Sequence, residues 1–376
     1  MRSLWLGFFC LIFPVLVWGQ SANSLYNEAV NHYLDGENQL AREHVELALK
    51  IEKRFPNAWF LLGQTYREDG EYKKAIKYYK KALKLTPSDL DYLYHQGLAY
   101  QQWEKDKKAV KAYFKVTKRN PKYALAWDRL AEIYSAVGDH LTAAEYYGQS
   151  IDINPTREEN YLNRAQEWYD EGLYQNVLAE LEFALNLNAE NVQAYGMRSK
   201  ANFQLGDYLA AVNDLSQVID RLPDSADLYQ ERAVSLQILG LLPQARADLD
   251  QAIALDTMLG DAWWNRALLN LTEDRFEEGR RDVEKATELN PYDGEAWLLL
   301  GRIAFAQRDY RQAIRAYSYC ITLEKADTEA YLDRGEAKRV LGDITGACQD
   351  WKKVMKLDKG GELAEKAENW MLINCE

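Results

Sequence analysis

Apolar residues in this chain recur at helical spacing in two alternating sets, and the whole pattern returns every 34 residues, ten times from Ala22 to Gly361. No residue is inserted or deleted. Counting units from Ala22, Pro56, Leu90, Ala124, Glu158, Val192, Ala226, Gly260, Gly294 and Thr328, apolar, aromatic or small residues hold positions 4 and 8 and most of position 11, then 20, 24 and 27. Each set marks one face of a 3.6-residue helix, here helix A and helix B. Position 8 reads Ala29, Gly63, Gly97, Ala131, Ala165, Ser199, Ala233, Ala267, Gly301 and Gly335, and position 27 is never larger than valine. Small residues there let two helix backbones approach. Seven units carry Gly at position 15 (Gly36, Gly70, Gly138, Gly172, Gly206, Gly240, Gly342), where a C-terminal cap needs a left-handed residue. Five carry Pro at position 32 (Pro87, Pro121, Pro155, Pro223, Pro291), which stops helix B. No segment reads as strand. The pattern predicts an all-α solenoid of about ten antiparallel two-helix units, a scaffold that binds other molecules.

The second unit, with Trp59, Leu62, Gly63, Tyr66, Gly70, Tyr72, Ala75, Tyr79, Ala82 and Pro87, resembles the tetratricopeptide repeat (TPR) family. The resemblance covers roughly 340 residues and implies a right-handed superhelix whose concave groove is lined by helix A. Positions 2, 5, 9 and 12 would point into that groove. They supply Tyr26, Tyr33, Phe60, Arg67, Tyr94, Gln101, Leu162, Gln166, Tyr169, Lys200, Phe203, Trp264, Leu268, Leu298, Arg302, Phe305 and Arg339. Rigid rings among amides and charges suit an extended peptide or a partner helix; some of the rings could instead pack on the neighbouring helix A. Family members that clamp a chaperone's terminal carboxylate use Lys at position 5 and Asn at position 9. No unit here has either, so recognition along the partner's length is expected instead.

The ends read differently from the repeats. Arg2 followed by the uncharged apolar run Leu4–Trp18, with Val17 and Gly19 at small-residue positions, predicts a signal peptide over residues 1–19. Its apolar run is shorter than the ~20 residues that span a bilayer. Export to the bacterial periplasm, cell surface or medium is therefore expected. After Gly361, Leu363, Ala367, Trp370 and Met371 form one helical stripe, and residues 362–376 are expected to cap the last unit. Cys320 occupies an always-small position. Cys348 and Cys375 either remain buried thiols or meet, since the capping helix returns toward helix B of the last unit.

Catalytic and metal motifs are not found. His32, His44, His95 and His140 have no carboxylate or cysteine at metal-ligand spacing, and no nucleophile elbow or phosphate-cradling loop occurs. No enzymatic activity and no cofactor are expected. One pattern does separate the units: position 7 is Arg in five of them, and the same five have an acid at position 23. The pairs are Arg164 with Glu180, Arg198 with Asp214, Arg232 with Asp248, Arg266 with Asp282 and Arg334 with Asp350. Such joint variation predicts contact between helix A and helix B within a unit.

Charge is unevenly spread. Residues 56–123 hold 15 Lys plus Arg against 7 Asp plus Glu, although the whole chain carries a net charge of −12. The basic residues fall on two helices B, at Lys73, Lys77, Lys80, Lys107, Lys111 and Lys115 among others. They form either a solvated face or a patch that docks on anionic lipid, a polyanion or an acidic partner. Membrane contact is expected only through this patch or an uncleaved signal segment. Nucleic acid is disfavoured by the acidic composition.

Overall fold

The computed structural model describes residues 21–375, so the expected signal segment lies outside the described residues. Among those residues there are 21 helices and no strand. They fall into two compact units, divided between Leu187 and Asn188. In the first, helices A are α1 (Ala22–Leu34), α3 (Pro56–Glu68), α5 (Leu90–Gln102), α7 (Ala124–Ala136) and α9 (Glu158–Asp170). Their partners B are α2 (Asn38–Ile51), α4 (Tyr72–Leu85), α6 (Asp106–Arg119), α8 (His140–Ile153) and α10 (Tyr174–Leu187). In the second, helices A are α11 (Val192–Gln204), α13 (Ala226–Ile238), α15 (Gly260–Thr272), α17 (Gly294–Ala306) and α19 (Thr328–Val340). Helices B are α12 (Tyr208–Ile219), α14 (Leu242–Leu255), α16 (Phe276–Leu289), α18 (Tyr310–Leu323) and α20 (Ile344–Leu357), followed by α21 (Glu362–Asn374). Every helix A opens on the first residue of a 34-residue repeat.

Local chemistry sets the helix ends. Ser21, Asp89, Asn191, Asp293 and Asp327 accept hydrogen bonds from first-turn backbone N–H groups of a helix A, and Asp139, Asp207, Asp309 and Asp343 do the same for a helix B. Between A and B, the seven position-15 glycines have φ of +72° to +85°. Three repeats lack that glycine, and Glu104, Asp274 and Arg308 are forced to φ of 53° to 64° in its place. The turn is required by the topology, whichever residue occupies it.

Packing inside a repeat depends on position 8. At Gly63, Gly97, Gly301 and Gly335 the missing Cβ makes room for the rings of Tyr79, Tyr113, Tyr317 and Trp351, all essentially buried. A Cβ on Gly63 would lie 2.5 Å from the Tyr79 ring. Where position 8 is alanine, the residue at position 24 is the smaller Val45, Leu181, Leu249 or Val283, except in repeat 4, where Ala131 is matched with Tyr147. Trp59, Trp127, Trp263 and Trp297 at position 4 each donate an indole N–H to a carbonyl six residues earlier, at 2.9–3.0 Å. That bond ties helix A to the turn before it. At the C-terminus, Leu363, Ala367, Trp370 and Met371 of α21 pack on Leu332 and Trp351, and Cys375 is disulfide-bonded to Cys348 with Cα atoms 6.0 Å apart. Cys320 is a buried free thiol.

Candidate partner-binding surfaces

Helices A meet one another along part of each unit: α1 meets α3 and α3 meets α5, while α13 meets α15, α15 meets α17 and α17 meets α19. Position 5 lies one residue beyond the core position 4, so a long side chain there reaches the next repeat before it reaches solvent. Tyr94 is only 6 % exposed: its ring lies 5.8 and 5.4 Å from those of Tyr113 and Tyr123 in its own repeat, and its hydroxyl accepts from Arg129 Nε of the next repeat at 3.5 Å. Phe60 stacks on Tyr92 at 4.5 Å and meets His95 edge-on at 5.0 Å; Tyr26 lies 4.9 Å from Phe55. Leu162 and Leu298 are buried. These residues form the seam between helices, and Tyr94 in particular offers little surface to a partner.

Position 12 presents a different picture. Tyr169 is held edge-on against Tyr174 at 5.4 Å in the first unit, and Phe203 against Tyr208 and Phe305 against Tyr310, both at 5.2 Å, in the second. All three rings are half-buried. Tyr33 shares this position, its hydroxyl pKa pushed up by burial and then by Glu68. Trp264, at position 5, is partly buried against Leu299 and Leu300, and its indole N–H is buried without a partner. The arginines of the layer are already engaged, whereas Lys200 is exposed on α11. Arg67 pairs with Glu68; Arg302 binds Asp333 at 2.9 Å and Glu329 at 2.5 Å on α19; Arg339 binds Glu336 at 2.7 Å. They neutralise neighbouring acids and so present no free charge to a ligand.

On helices B, Lys73, Lys77, Lys80, Lys107, Lys111 and Lys115 are all exposed. Lys73 lies over the Trp103 ring at 5.4 Å, and Lys81 over Trp59 at 3.8 Å. Burial, and after it the charge of Lys77, pushes the Lys81 pKa down. Next to them a cavity of about 720 Å³ is lined by Lys80, Lys84, Lys115, Lys118 and Arg119 with Leu83, Pro87, Leu93 and Gln96, and by no carboxylate.

The five Arg–acid pairs at positions 7 and 23 meet. Arg198, Arg232, Arg266 and Arg334 grip Asp214, Asp248, Asp282 and Asp350 with two guanidinium nitrogens each, at 2.6–3.0 Å, and Arg164 reaches both oxygens of Glu180 at 2.7 Å. Burial raises the Glu180 pKa against the opposing pull of Arg164. The first repeat places an acid and a histidine at these positions in the opposite order, Glu28 lying 3.5 Å from His44. The histidines do find carboxylates, contrary to what local spacing predicts. His32 Nδ1 lies 2.6 Å from Glu37 and His140 Nδ1 lies 2.7 Å from Glu167, a residue 27 positions away on the next repeat. The available signal was positional: Glu167 is the sole acid at position 10 in ten repeats.

Models of the tetratricopeptide repeat match residues 56–89, 90–123, 124–157, 197–257, 265–319 and 298–352. The chain is 29 % identical over 104 residues to rat serine/threonine-protein phosphatase 5, covering 27 % of this chain and 21 % of that protein. It is 32 % identical over 90 residues to a tetratricopeptide repeat and J domain-containing co-chaperone of Cryptococcus neoformans, covering 24 % of this chain and 17 % of the relative. It thus spans about a fifth of the length of these curated relatives. Among solved structures, the C-terminal part of a TPR repeat-containing protein from Cytophaga hutchinsonii is 18 % identical with a TM-score of 0.53, covering 64 % of this chain and 98 % of that one. Yeast Tom70 is 14 % identical with a TM-score of 0.45, covering 94 % and 95 %. With repeat matches spread over most of its length and helix pairs at every repeat boundary, the chain belongs to the tetratricopeptide repeat family.

Proposed function

We propose that this protein is a non-enzymatic scaffold of the bacterial envelope that binds an extended peptide or partner helix along its helix-A layers. The observation that carries this reading is the trio of position-12 rings Tyr169, Phe203 and Phe305, each held edge-on by a tyrosine of its own repeat. A ring fixed in this way offers apolar area to a partner without losing rotamer entropy on binding. Recognition then runs along the partner's length through side chains, since the arginines of the layer are paired. Selection of a displayed peptide library on the exported chain tests it. Enriched peptides are expected to lose binding to a Phe203→Ala/Phe305→Ala variant whose circular dichroism is unchanged; peptides bound equally by that variant would remove the basis of the reading.

A second reading is supported by the cationic cavity and the lysines around it: docking on anionic lipid or polyanion through helices B of repeats 2 and 3. Its signature is steep salt dependence. Flotation with anionic vesicles, abolished by charge reversal at Lys73, Lys77, Lys107 and Lys111, would favour it over peptide binding.

A further inference from the structure

We infer that His140, Glu167 and Asp170 form a binding site for a divalent transition-metal ion of the zinc class, clamping repeat 4 to repeat 5. Position 10 is otherwise Asn31, Thr65, Ala99, Ile133, Ala201, Ser235, Leu269, Ile303 and Ala337, uncharged throughout, and all but Asn31 are buried. Glu167 replaces them with a carboxylate that is itself only 3 % exposed. A charge in that place costs free energy unless something compensates it. Position 17 of the preceding repeat, elsewhere mostly aromatic or aliphatic, is His140, and these two departures from the repeat meet at 2.7 Å.

The geometry goes beyond a simple ion pair. Asp170 Oδ2 lies 3.9 Å from the same imidazole nitrogen, and the three ligand atoms all lie within 4.8 Å of one another. Two ligands about 2.0–2.2 Å from one ion can be no more than ~4.4 Å apart, so a small rotation of the half-exposed Asp170 completes the set. Gln166 Nε2 donates to the other Asp170 oxygen at 2.9 Å, the kind of outer hydrogen bond that orients a ligating carboxylate. Imidazole with two carboxylates selects zinc and its neighbours over magnesium or calcium, which prefer an all-oxygen shell. Three protein ligands leave further coordination positions for water. The ligands come from α8 and α9, so the ion would fix one inter-repeat junction of the first unit.

The repeats supply substitutions compatible with folding. His140→Tyr installs the residue found at Tyr72, Tyr174, Tyr208 and Tyr310, and Glu167→Ala that at Ala99, Ala201 and Ala337. Titration of the full chain with zinc chloride at neutral pH, in competition with a chromophoric chelator, should show one tight equivalent. That equivalent should survive His32→Gln/His44→Gln, which removes the other histidine pair. It should weaken about 10–100-fold in Gln166→Ala, which removes only the outer hydrogen bond, fall further in Asp170→Asn, and be lost in His140→Tyr and Glu167→Ala. A chain with no zinc equivalent, or one whose zinc affinity is unchanged in folded His140→Tyr, overturns the site and reduces the cluster to a His–Glu pair.

Discussion

Removing Arg232 alone should harm the protein far more than removing it together with Asp248. Asp248 is 6 % exposed and is gripped by Arg232 at 2.7 Å through both Nε and Nη2. The same guanidinium donates to Ser216 Oγ on α12 at 3.0 Å, so it links neighbouring repeats as well as the two helices of its own. Arg232→Leu leaves a carboxylate in a site that water barely reaches, at a cost of about 3–5 kcal/mol. Converting the acid as well removes the stranded charge. Repeat 4 shows that the site accepts such a solution, since Leu130 and Tyr146 occupy positions 7 and 23 there. The Arg232→Leu/Asp248→Tyr double variant should therefore stay within about 1–2 kcal/mol of the parent, giving a coupling energy of at least about 2 kcal/mol. Asp350 provides an internal comparison, because Lys338 also binds it, at 2.8 Å. Arg334→Leu should cost distinctly less than Arg232→Leu. Urea unfolding of the three Arg232/Asp248 variants and of Arg334→Leu supplies the numbers. Losses that simply add would refute the account, and so would equal losses at Arg232 and Arg334.

Further consequences concern backbone, packing, the disulfide and pH. Arg308→Gly relieves a left-handed residue that has a side chain and should stabilise by about 1 kcal/mol; unchanged thermal unfolding would mean the turn carries no strain. Gly63→Ala drives a methyl into the buried Tyr79 ring and should destabilise by about 1–3 kcal/mol, largely relieved by the additional change Tyr79→Leu. Reducing the Cys348–Cys375 bond, which closes a loop of sequence separation 27, should cost about 3–4 kcal/mol, read as a lowered melting temperature that Cys348→Ser/Cys375→Ser reproduces and reductant no longer affects. His95, its pKa lowered by burial beside Phe60 and Tyr94, resists protonation in the folded chain. The unfolded chain takes up that proton more readily, so stability should fall as pH drops through the ordinary imidazole range, and His95→Gln should flatten this slope.

The architecture was legible because its causes are local and repeated. Glycine at position 15, proline at position 32 and the apolar stripes each act within one helix pair, and ten copies average out exceptions. The Arg–acid pairs were legible for the same reason, since the two positions vary together. Position 5 was ambiguous: spacing alone left groove and packing both open, and the rings of Tyr94 and Phe60 meet Tyr92, Tyr113 and Tyr123. The pairing of Arg302 with Asp333 and Glu329 was hidden likewise, because its acids lie a full repeat away. Two branches that the sequence left open are resolved at Cys348 and Cys375, where the returning α21 brings the thiols together.

In an array built from one module, average positions report the fold and departures from the average report what a particular repeat has been asked to do. Arginine at position 7 occurs five times and comes with its acid, so it belongs to the module. Lys80 and Lys84 of α4 and Lys115 and Lys118 of α6 come from two adjacent repeats and line one cavity with Arg119 and no carboxylate, so packing alone does not account for them. Glu167 occurs once, is buried, and meets a histidine that is also unique at its position. Rarity combined with burial is the costlier departure, because a solvated lysine run is nearly free to maintain whereas a buried carboxylate is not. If Glu167 were only a tolerated accident, Glu167→Ala would stabilise the chain under all conditions. Stabilisation by that substitution in the presence of chelator, reversed when zinc is supplied, would instead identify the ion as the reason the carboxylate is kept.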